Sequence, residues 1–259
     1  MASKGFVHLH VHSEFSMLDG AARIDHAVEA VVSHGQPGLG LTDHGVLYGA
    51  VDFYRAATAA GIKPIIGVEG YLTTGSRFDR PTGPDNVRHH ITLLAETQTG
   101  YANLVKLVSR AFLEGYYYKP RMDHELLSEY AEGIIATSGC LSGHVPSLLA
   151  PDAPREDGYA GGRRDLEKAV EAAGLYQDIF GRDRFFIELH DLGLESQRRI
   201  LPDLLEISQR VGAPLLATNE PTTPARTRRP PTMSCSVSRP DRPSTTRSGA
   251  FVSRARSST

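Results

Sequence analysis

Only two cysteines, Cys140 and Cys235, occur among the 259 residues. So few exclude a disulfide framework and fit a reducing cytoplasm. No apolar run approaches the roughly 18 residues that a membrane-spanning helix needs, so no membrane association is expected. The first residues, "MASKGFVHLH", lack the apolar core of an export signal. A strong net charge is also missing, the formal value being −2. The balance is uneven, however: Pro221 to Thr259 carries eight arginines and one aspartate, or +7, which leaves −9 on residues 1–220.

What is present is a regular alternation of short apolar runs and amphipathic stretches. Hydrophobic residues make up 40% of the chain, enough for one large α/β domain or two small ones. Candidate strands are 6–11, 38–43, 64–72, 89–96, 133–139, 184–191 and 214–220, with helical patterns over 24–35, 47–61 and 100–115. In the last of these, Leu104, Leu107, Val108, Ala111 and Phe112 fall on one helical face. Strand, helix, strand at this period predicts a parallel sheet with right-handed crossovers. Polar residues cluster at the ends of the apolar runs: Asp43 and His44 after "GLGL", Glu69 after "PIIGV", Cys140 after "IIATSG". In a barrel those strand ends converge on one mouth, whereas an open sheet would scatter them. The expected fold is therefore α/β, an irregular seven-stranded (β/α) TIM-like barrel.

Composition breaks sharply at 220. Residues 1–220 read as one domain, and residues 221–259 are almost all Pro, Thr, Arg and Ser with no apolar period. Such a segment cannot bury enough surface to offset its ordering entropy and is expected to be a disordered tail. One reading is a basic arm that touches nucleic acid. The preferred reading is out-of-frame translation of a gene that once continued, because the change is abrupt and follows a strand end directly.

The chemistry begins with "VHLHVHSEFSMLDGA", residues 7–21. On a strand, residues two apart face one side, so His8, His10 and His12 project together. An isolated His-x-His is equally a packed or solvated pair, and the neighbours decide. Asp19, Asp43, His44, Glu69, His89, His90 and Cys140 add carboxylate, imidazole and thiol at several strand ends, a mixture that suits zinc or another first-row divalent ion. They are too many for one tetrahedral ion, so a cluster of two or three is expected, with zinc favoured over manganese or iron. Such clusters hold phosphoryl oxygens and make hydroxide near neutral pH. The residues themselves thus point to a metal-dependent hydrolase of phosphate esters. Plainer readings remain open for single members. Asp19 is also a turn residue, Asp43 also a residue that orients His44, Cys140 also a packed thiol, and only one of His89 and His90 faces the mouth. His26, His34, His124, His144 and His190 are expected at the surface or as caps.

The stretches "HLHVHSEFSMLDGA", "LTDHGVLYGAVDFY", "AGIKPIIGVEGYL" and "ATSGCLSG" resemble successive motifs of the PHP (polymerase and histidinol phosphatase) family. Residues 100–143 and "LLATNE" resemble more narrowly the PHP domain that begins bacterial DNA polymerase III alpha subunits. The resemblance spans residues 5–220. It implies His10 and His12 as paired ligands with His8 beside them, then Asp19, His44, a bridging Glu69, His90 and Cys140. It implies catalysis by metal-activated water held at His10, His12, Asp19 and Glu69. The family's closing motif is an acid and, two residues later, a histidine; here Glu220 holds the acid position but Thr222 stands at the other.

The resemblance also implies a role in DNA replication. Its implied partners are the primer 3′ end and the rest of the polymerase III holoenzyme, and the implied activity is 3′–5′ exonuclease. No counterpart of the polymerase machinery is expected in this length, and the fragment is expected to be monomeric. A non-catalytic scaffold supporting the polymerase or a proofreading subunit is the alternative, and a stand-alone histidinol-phosphatase-like phosphoesterase the weaker one. Lys119 and Arg121, with Tyr116, Tyr117 and Tyr118, are candidate contacts to single-stranded DNA or else a packed loop. The frame reading is tested by the coding DNA: downstream of codon 220, another frame is expected to continue the strand and to encode the missing histidine two codons after the acid.

Overall fold

In "HHITLLA" every second side chain is polar at first, and that alternation fixes which face of the sheet is wet. The computed structural model describes residues 5–83, 86–153 and 163–219; Glu220 and the expected tail, 221–259, lie outside the described residues. In chain order the elements are α1 Ile24–Ser33, β1 Gly38–Leu41, α2 Ala50–Ala59, β2 Lys63–Leu72, β3 His89–Ala95, α3 Gln98–Leu113, β4 Tyr116–Tyr117, β5 Lys119–Met122, α4 His124–Glu129, β6 Ile134–Thr137, α5 His144–Leu149, α6 Leu166–Phe180, β7 Phe185–Leu189, α7 Glu195–Val211 and β8 Leu215–Ala217. Among the described residues the strands form one sheet in the order β4-β5-β2-β3-β6-β7-β8, with β1 also paired to β2. The sheet curls into a TIM-like barrel with helices outside.

Three features depart from the expected all-parallel barrel. First, β3 runs antiparallel to both β2 and β6, while β1–β2, β2–β5, β6–β7 and β7–β8 are parallel. The β2–β3 connection is rich in Gly and Pro and carries no helix among its described residues, so no crossover returns the chain. Second, residues 6–11 form no ladder. They lie along β1 through a single bridge, His8 to Leu39, through Gly40 N donating to His8 O at 2.7 Å, and through Thr42 N donating to Val11 O at 2.8 Å. The Thr42 hydroxyl accepts from Val11 N at 2.9 Å, where a ladder carbonyl would stand. Third, the "YYYKPR" stretch makes its own small hairpin of β4 and β5. Tyr118 turns that hairpin at φ 62°.

The apolar face of the sheet packs on the helices. Val68, Leu72, Ile91 and Leu93 meet Leu104, Leu107 and Ala111 of α3, and all seven are buried. Val108 and Phe112, expected on the same helical face, are only half-buried. A second cluster joins Val11 and β1 to α1 and α2 through Leu39, Leu41, Val28 and Phe53. Helix starts are capped where the sequence offers an acceptor. Thr97 accepts from Gly100 N at 3.0 Å, and Asp123 accepts from Leu126 N at 2.9 Å. Arg121, a candidate nucleic-acid contact, is instead buried. Its guanidinium donates to the carbonyls of Gly115 at 3.0 Å, Arg77 at 2.9 Å and Asp79 at 2.6 Å, so it braces a loop.

Gly40 is the position that lets residues 8–12 lie flat on β1. A Cβ there would stand 2.8 Å from Leu9 O and 2.9 Å from its Cα. Gly174, inside α6, has nothing within 4 Å of such a Cβ. Gly40→Ala is therefore expected to destabilise the fold by about 1–3 kcal/mol through overpacking. Gly174→Ala is expected to stabilise it by roughly 0.5–1 kcal/mol through helix propensity. Urea midpoints of the two variants check the contrast.

Candidate metal centre

The sheet register places the polar side chains on the concave face. Pairing of Glu69 with Thr92 and of Tyr71 with His90 puts these four on one side, while Val68, Leu72, Ile91 and Leu93 take the other. His90 reaches the same mouth as the residues after β1 and β6 because β3 is antiparallel; it sits at the start of its strand, not the end. His89 points the opposite way. It stacks beside His144 at 4.6 Å between ring centroids, and its Nδ1 lies 3.2 Å from Ser147 Oγ.

Glu69 is fully buried and is the centre of the group. One oxygen, Oε1, lies 2.9 Å from His90 Nδ1 and 3.3 Å from His10 Nε2. The other, Oε2, lies 3.0 Å from His12 Nε2 and 3.0 Å from His44 Nδ1. Cys140 Sγ completes this side, 3.4 Å from Glu69 Oε1 and 3.6 Å from His90 Nδ1. Asp19 Oδ2 is 2.8 Å from His44 Nε2. The structure thus brings His10, His12, Asp19, His44, Glu69, His90 and Cys140 together.

Two sequence candidates stand outside this group. Asp43 uses its carboxylate on the loop after His12: Oδ1 accepts from Ser13 N and Ser16 Oγ at 2.7 Å each, and Oδ2 accepts from Ser13 Oγ at 2.7 Å. Ser16 Oγ in turn lies 3.0 Å from His12 Nδ1 and accepts from His44 N at 3.1 Å. Asp43 therefore orients His12 and the His44 backbone through a serine. His8 packs edge-on against Phe6 and meets the backbone of Asn219, and it joins no ligand group among the described residues. Glu220 lies outside the described residues.

Sequence reading missed Glu188 and misplaced His190. Both are buried. Glu188 Oε1 lies 2.9 Å from His10 Nδ1 and 2.7 Å from His190 Nε2. His124 and His144 are also not simple surface residues: both are half-buried, and His144 Nδ1 lies 2.9 Å from the buried Tyr176 hydroxyl.

The donor set fits a divalent cation cluster. Three groups have their ligand atoms within 4.8 Å of one another: His10, His12 and Glu69; His44, Glu69 and His90; His10, Glu188 and His190. His10 Nε2, His44 Nδ1 and Glu69 Oε2 are buried and lie at ion-pair distance without hydrogen-bond geometry. Imidazole with carboxylate at such spacing suits zinc or a similar ion. Electrostatics agree. Burial alone would raise the Glu69 carboxyl, but His90, His10 and His44 beside it bring it well below its usual range. Burial would lower His44, yet Glu69 and Asp19 push it up to about 9. His10 is likewise opposed by burial and is raised by Glu69 and Glu188.

Comparison with known proteins identifies the family and the fold. A protein-family model described as PHP domain matches residues 8–192. DNA polymerase III subunit alpha of Treponema pallidum is 45% identical over 221 residues, covering 85% of this chain and 18% of that protein. The Thermus aquaticus subunit is 47% identical over 219 residues, covering 83% and 17%. The chain thus spans about a fifth of the length of these relatives. Among solved structures, an amidohydrolase from Chromobacterium violaceum superposes with a TM-score of 0.51 at 16% identity, covering 84% of this chain and 88% of that one. A Bifidobacterium adolescentis protein assigned as a metal-dependent phosphoesterase gives 0.50 at 16% identity, covering 83% and 87%. At that identity the likeness shows the fold.

These shifts set the pH behaviour of the metal-free chain. His44 titrates near 9 when folded, against 6.5 for the free side chain. A raised folded value stabilises fully below about 6.5, and the effect is lost as pH climbs through 9. Glu69 and Glu188 fall below their usual 4.5, so their contribution is present above that value and lost in acid. A divalent cation at these ligands would compete with the imidazole protons, so its affinity would run the other way and tighten as pH rises. Urea midpoints of chelator-treated protein are expected to fall between pH 6.5 and 9, and zinc affinity by chelator competition is expected to rise over the same window.

Proposed function

The chain belongs to the PHP domain family, and on that premise we propose that it is the PHP module of a bacterial DNA polymerase III alpha subunit, working in the cytoplasm as a divalent-metal-dependent phosphoesterase on DNA 3′ ends. In this reading residues 1–220 are the module, and the primer 3′ end and the other holoenzyme subunits are its partners. The observation that carries it is the single buried Glu69 carboxylate shared by His10, His12, His44 and His90 at the barrel mouth. Identity near 45% to polymerase III alpha subunits supports the replication context.

Bound cations, zinc or else manganese or iron, would polarise a phosphoryl oxygen and make water nucleophilic near neutral pH. The protein's own part is positional. His10 and His12 with Glu69 would hold one ion, and His44, Glu69, His90 and Cys140 another. Asp19, on the half-exposed side of His44, faces the entrance. Tyr71 lies parallel over His44 at 5.9 Å and edge-on to His90 at 5.3 Å, closing one wall against water. Lys119 Nζ, 3.0 Å from the Tyr71 hydroxyl, supplies a cation at that wall for a phosphate oxygen. No helix among the described residues is long and apolar enough to cross a membrane.

A second reading, a non-catalytic scaffold for the polymerase or a proofreading subunit, is favoured by one observation. Asp19 joins no group of three candidate ligand residues among the described residues. The resemblance would place a histidine at 222, where Thr222 stands.

The chain with zinc or manganese is expected to remove a 3′-mismatched nucleotide from an oligonucleotide. Glu69→Gln is expected to lower that rate by about 10³-fold, roughly 4 kcal/mol of barrier. Thr222→His is expected to raise it. Bound metal without cleavage in any form would sink the exonuclease reading, and near-zero bound metal would favour the scaffold.

A further inference from the structure

We infer that Glu188 is the positioning residue of the metal centre, fixing His10 so that its Nε2 faces Glu69. The inference rests on the metal-centre reading above and assigns a role to a residue which that reading does not use. Glu188 sits on β7 with its side chain turned into the barrel and almost completely buried. Four donors from four different parts of the chain close on its carboxylate. Oε1 accepts from His10 Nδ1 at 2.9 Å, from His190 Nε2 at 2.7 Å, and from the Thr218 hydroxyl. Oε2 accepts from the Thr137 hydroxyl at the end of β6. The Glu188 backbone is itself held, its N donating to Ser138 Oγ at 2.9 Å.

A carboxylate offers about four lone-pair sites. Three of the four donors converge on Oε1, the oxygen nearest His10 and His190, which leaves that oxygen none for a cation between His10, Glu188 and His190, even though those three ligand atoms lie close enough for one. Glu188 therefore acts on the metal through His10. An imidazole has two ring nitrogens, and the hydrogen bond made by one decides which lone pair the other presents. With Nδ1–H donated to Glu188, the His10 lone pair is on Nε2, 3.3 Å from Glu69 Oε1. Thr92 Oγ1, 3.4 Å from His10 Nδ1, lies on the same side as Glu188 and opposes a ring flip. The arrangement links β6, β7, the residue after β8 and the first histidine segment to one ring. That segment has a single bridge to β1 and no ladder of its own, so its side-chain anchor matters more than it would on a regular strand.

The test uses the full chain and zinc titration by chelator competition, together with long-range proton–nitrogen NMR of the histidine rings. Metal-free wild type, at a pH high enough to make His10 neutral, is expected to show that ring as the Nδ1–H tautomer, slow to exchange. Glu188→Gln keeps the shape and removes the charge; it is expected to lower the metal-free melting temperature and, in the protein that remains folded, to weaken zinc binding about 10–100-fold. Glu188→Ala is expected to release the His10 tautomer as well. Thr218→Val removes one donor without touching a ligand and is expected to give a loss smaller than that of Glu188→Gln, which keeps the question open to measurement if the larger change unfolds the chain. Wild-type zinc affinity in Glu188→Gln, or a neutral His10 ring carrying its one proton on Nε2 in wild type, would overturn the inference. Failure of wild type to bind zinc or manganese would instead sink the metal-centre reading, and the tautomer measurement would still judge Glu188 on its own.

Discussion

One buried carboxylate sets the terms for everything around it. Glu69 is shut off from bulk solvent, and a lone ionised carboxylate in that position would be prohibitively unfavourable. Four imidazoles meet its two oxygens, two on each. They can compensate the charge in two ways. Either some of them carry protons, as the raised His10 and His44 do in the metal-free chain, or a cation takes the place of those protons. Protons and cation are alternatives at the same lone pairs, which links affinity to pH without any further device.

That demand explains the irregular sheet. Bringing four imidazoles to one carboxylate takes residues from the first segment, the end of β1 and the start of β3. A fully parallel barrel would have carried His90 to the opposite rim, because it begins its strand. Reversing β3 places His90 against Tyr71 in register and so beside Glu69. It also aligns Thr92 with Thr137 across β3 and β6, and Thr137 reaches Glu188. The wet face is therefore continuous from β2 to β7, while the same strands present Leu93, Ile91 and Ala136 to the helices. Period-2 alternation builds the site and the core in a single step.

Much of this was legible from residue order. The strand-end polar residues announced a convergent mouth, and the His-x-His spacing singled out one face. Of the neighbours His89 and His90, alternation left room for only one inside, and His90 is the one that faces Glu69. Strand direction was not legible from alternation, which has the same period in parallel and antiparallel ladders. A clue did exist: "TTGSRFDRPTGPDNVR" between β2 and β3 is too rich in Gly, Pro and polar residues to supply a crossover helix. Asp43 was visible as a carboxylate beside His44 but not as the acceptor for Ser13 and Ser16, since those contacts depend on how the loop after His12 folds back. Glu188 was passed over inside "RFFIELHD", although a lone acid at an inward position of an apolar strand is itself a signal. With His190 it repeats the i, i+2 spacing of His10 and His12.

The balance between enzyme and scaffold turns on the same energetics. Buried ionic clusters are often no more stabilising than apolar residues of the same volume, because desolvation offsets the attraction. As a structural element alone, a barrel mouth holding Glu69, Glu188 and five buried or nearly buried histidines is a poor choice against leucine and valine. Its polar atoms also do not close on one another as a self-sufficient network would: Nε2 of His10 and Nδ1 of His44 face Glu69 without hydrogen-bond geometry, while Nδ1 of His10 is fully engaged with Glu188. In each ring one nitrogen bonds a carboxylate, Glu188 for His10 and Asp19 for His44, and the other stands 3.3 Å (His10) or 3.0 Å (His44) from Glu69. A scaffold has no use for that asymmetry. A cation site requires it, since each ligand must be held from behind while its lone pair stays available in front. The physical case for metal binding therefore rests less on the number of histidines than on the difference between their two faces.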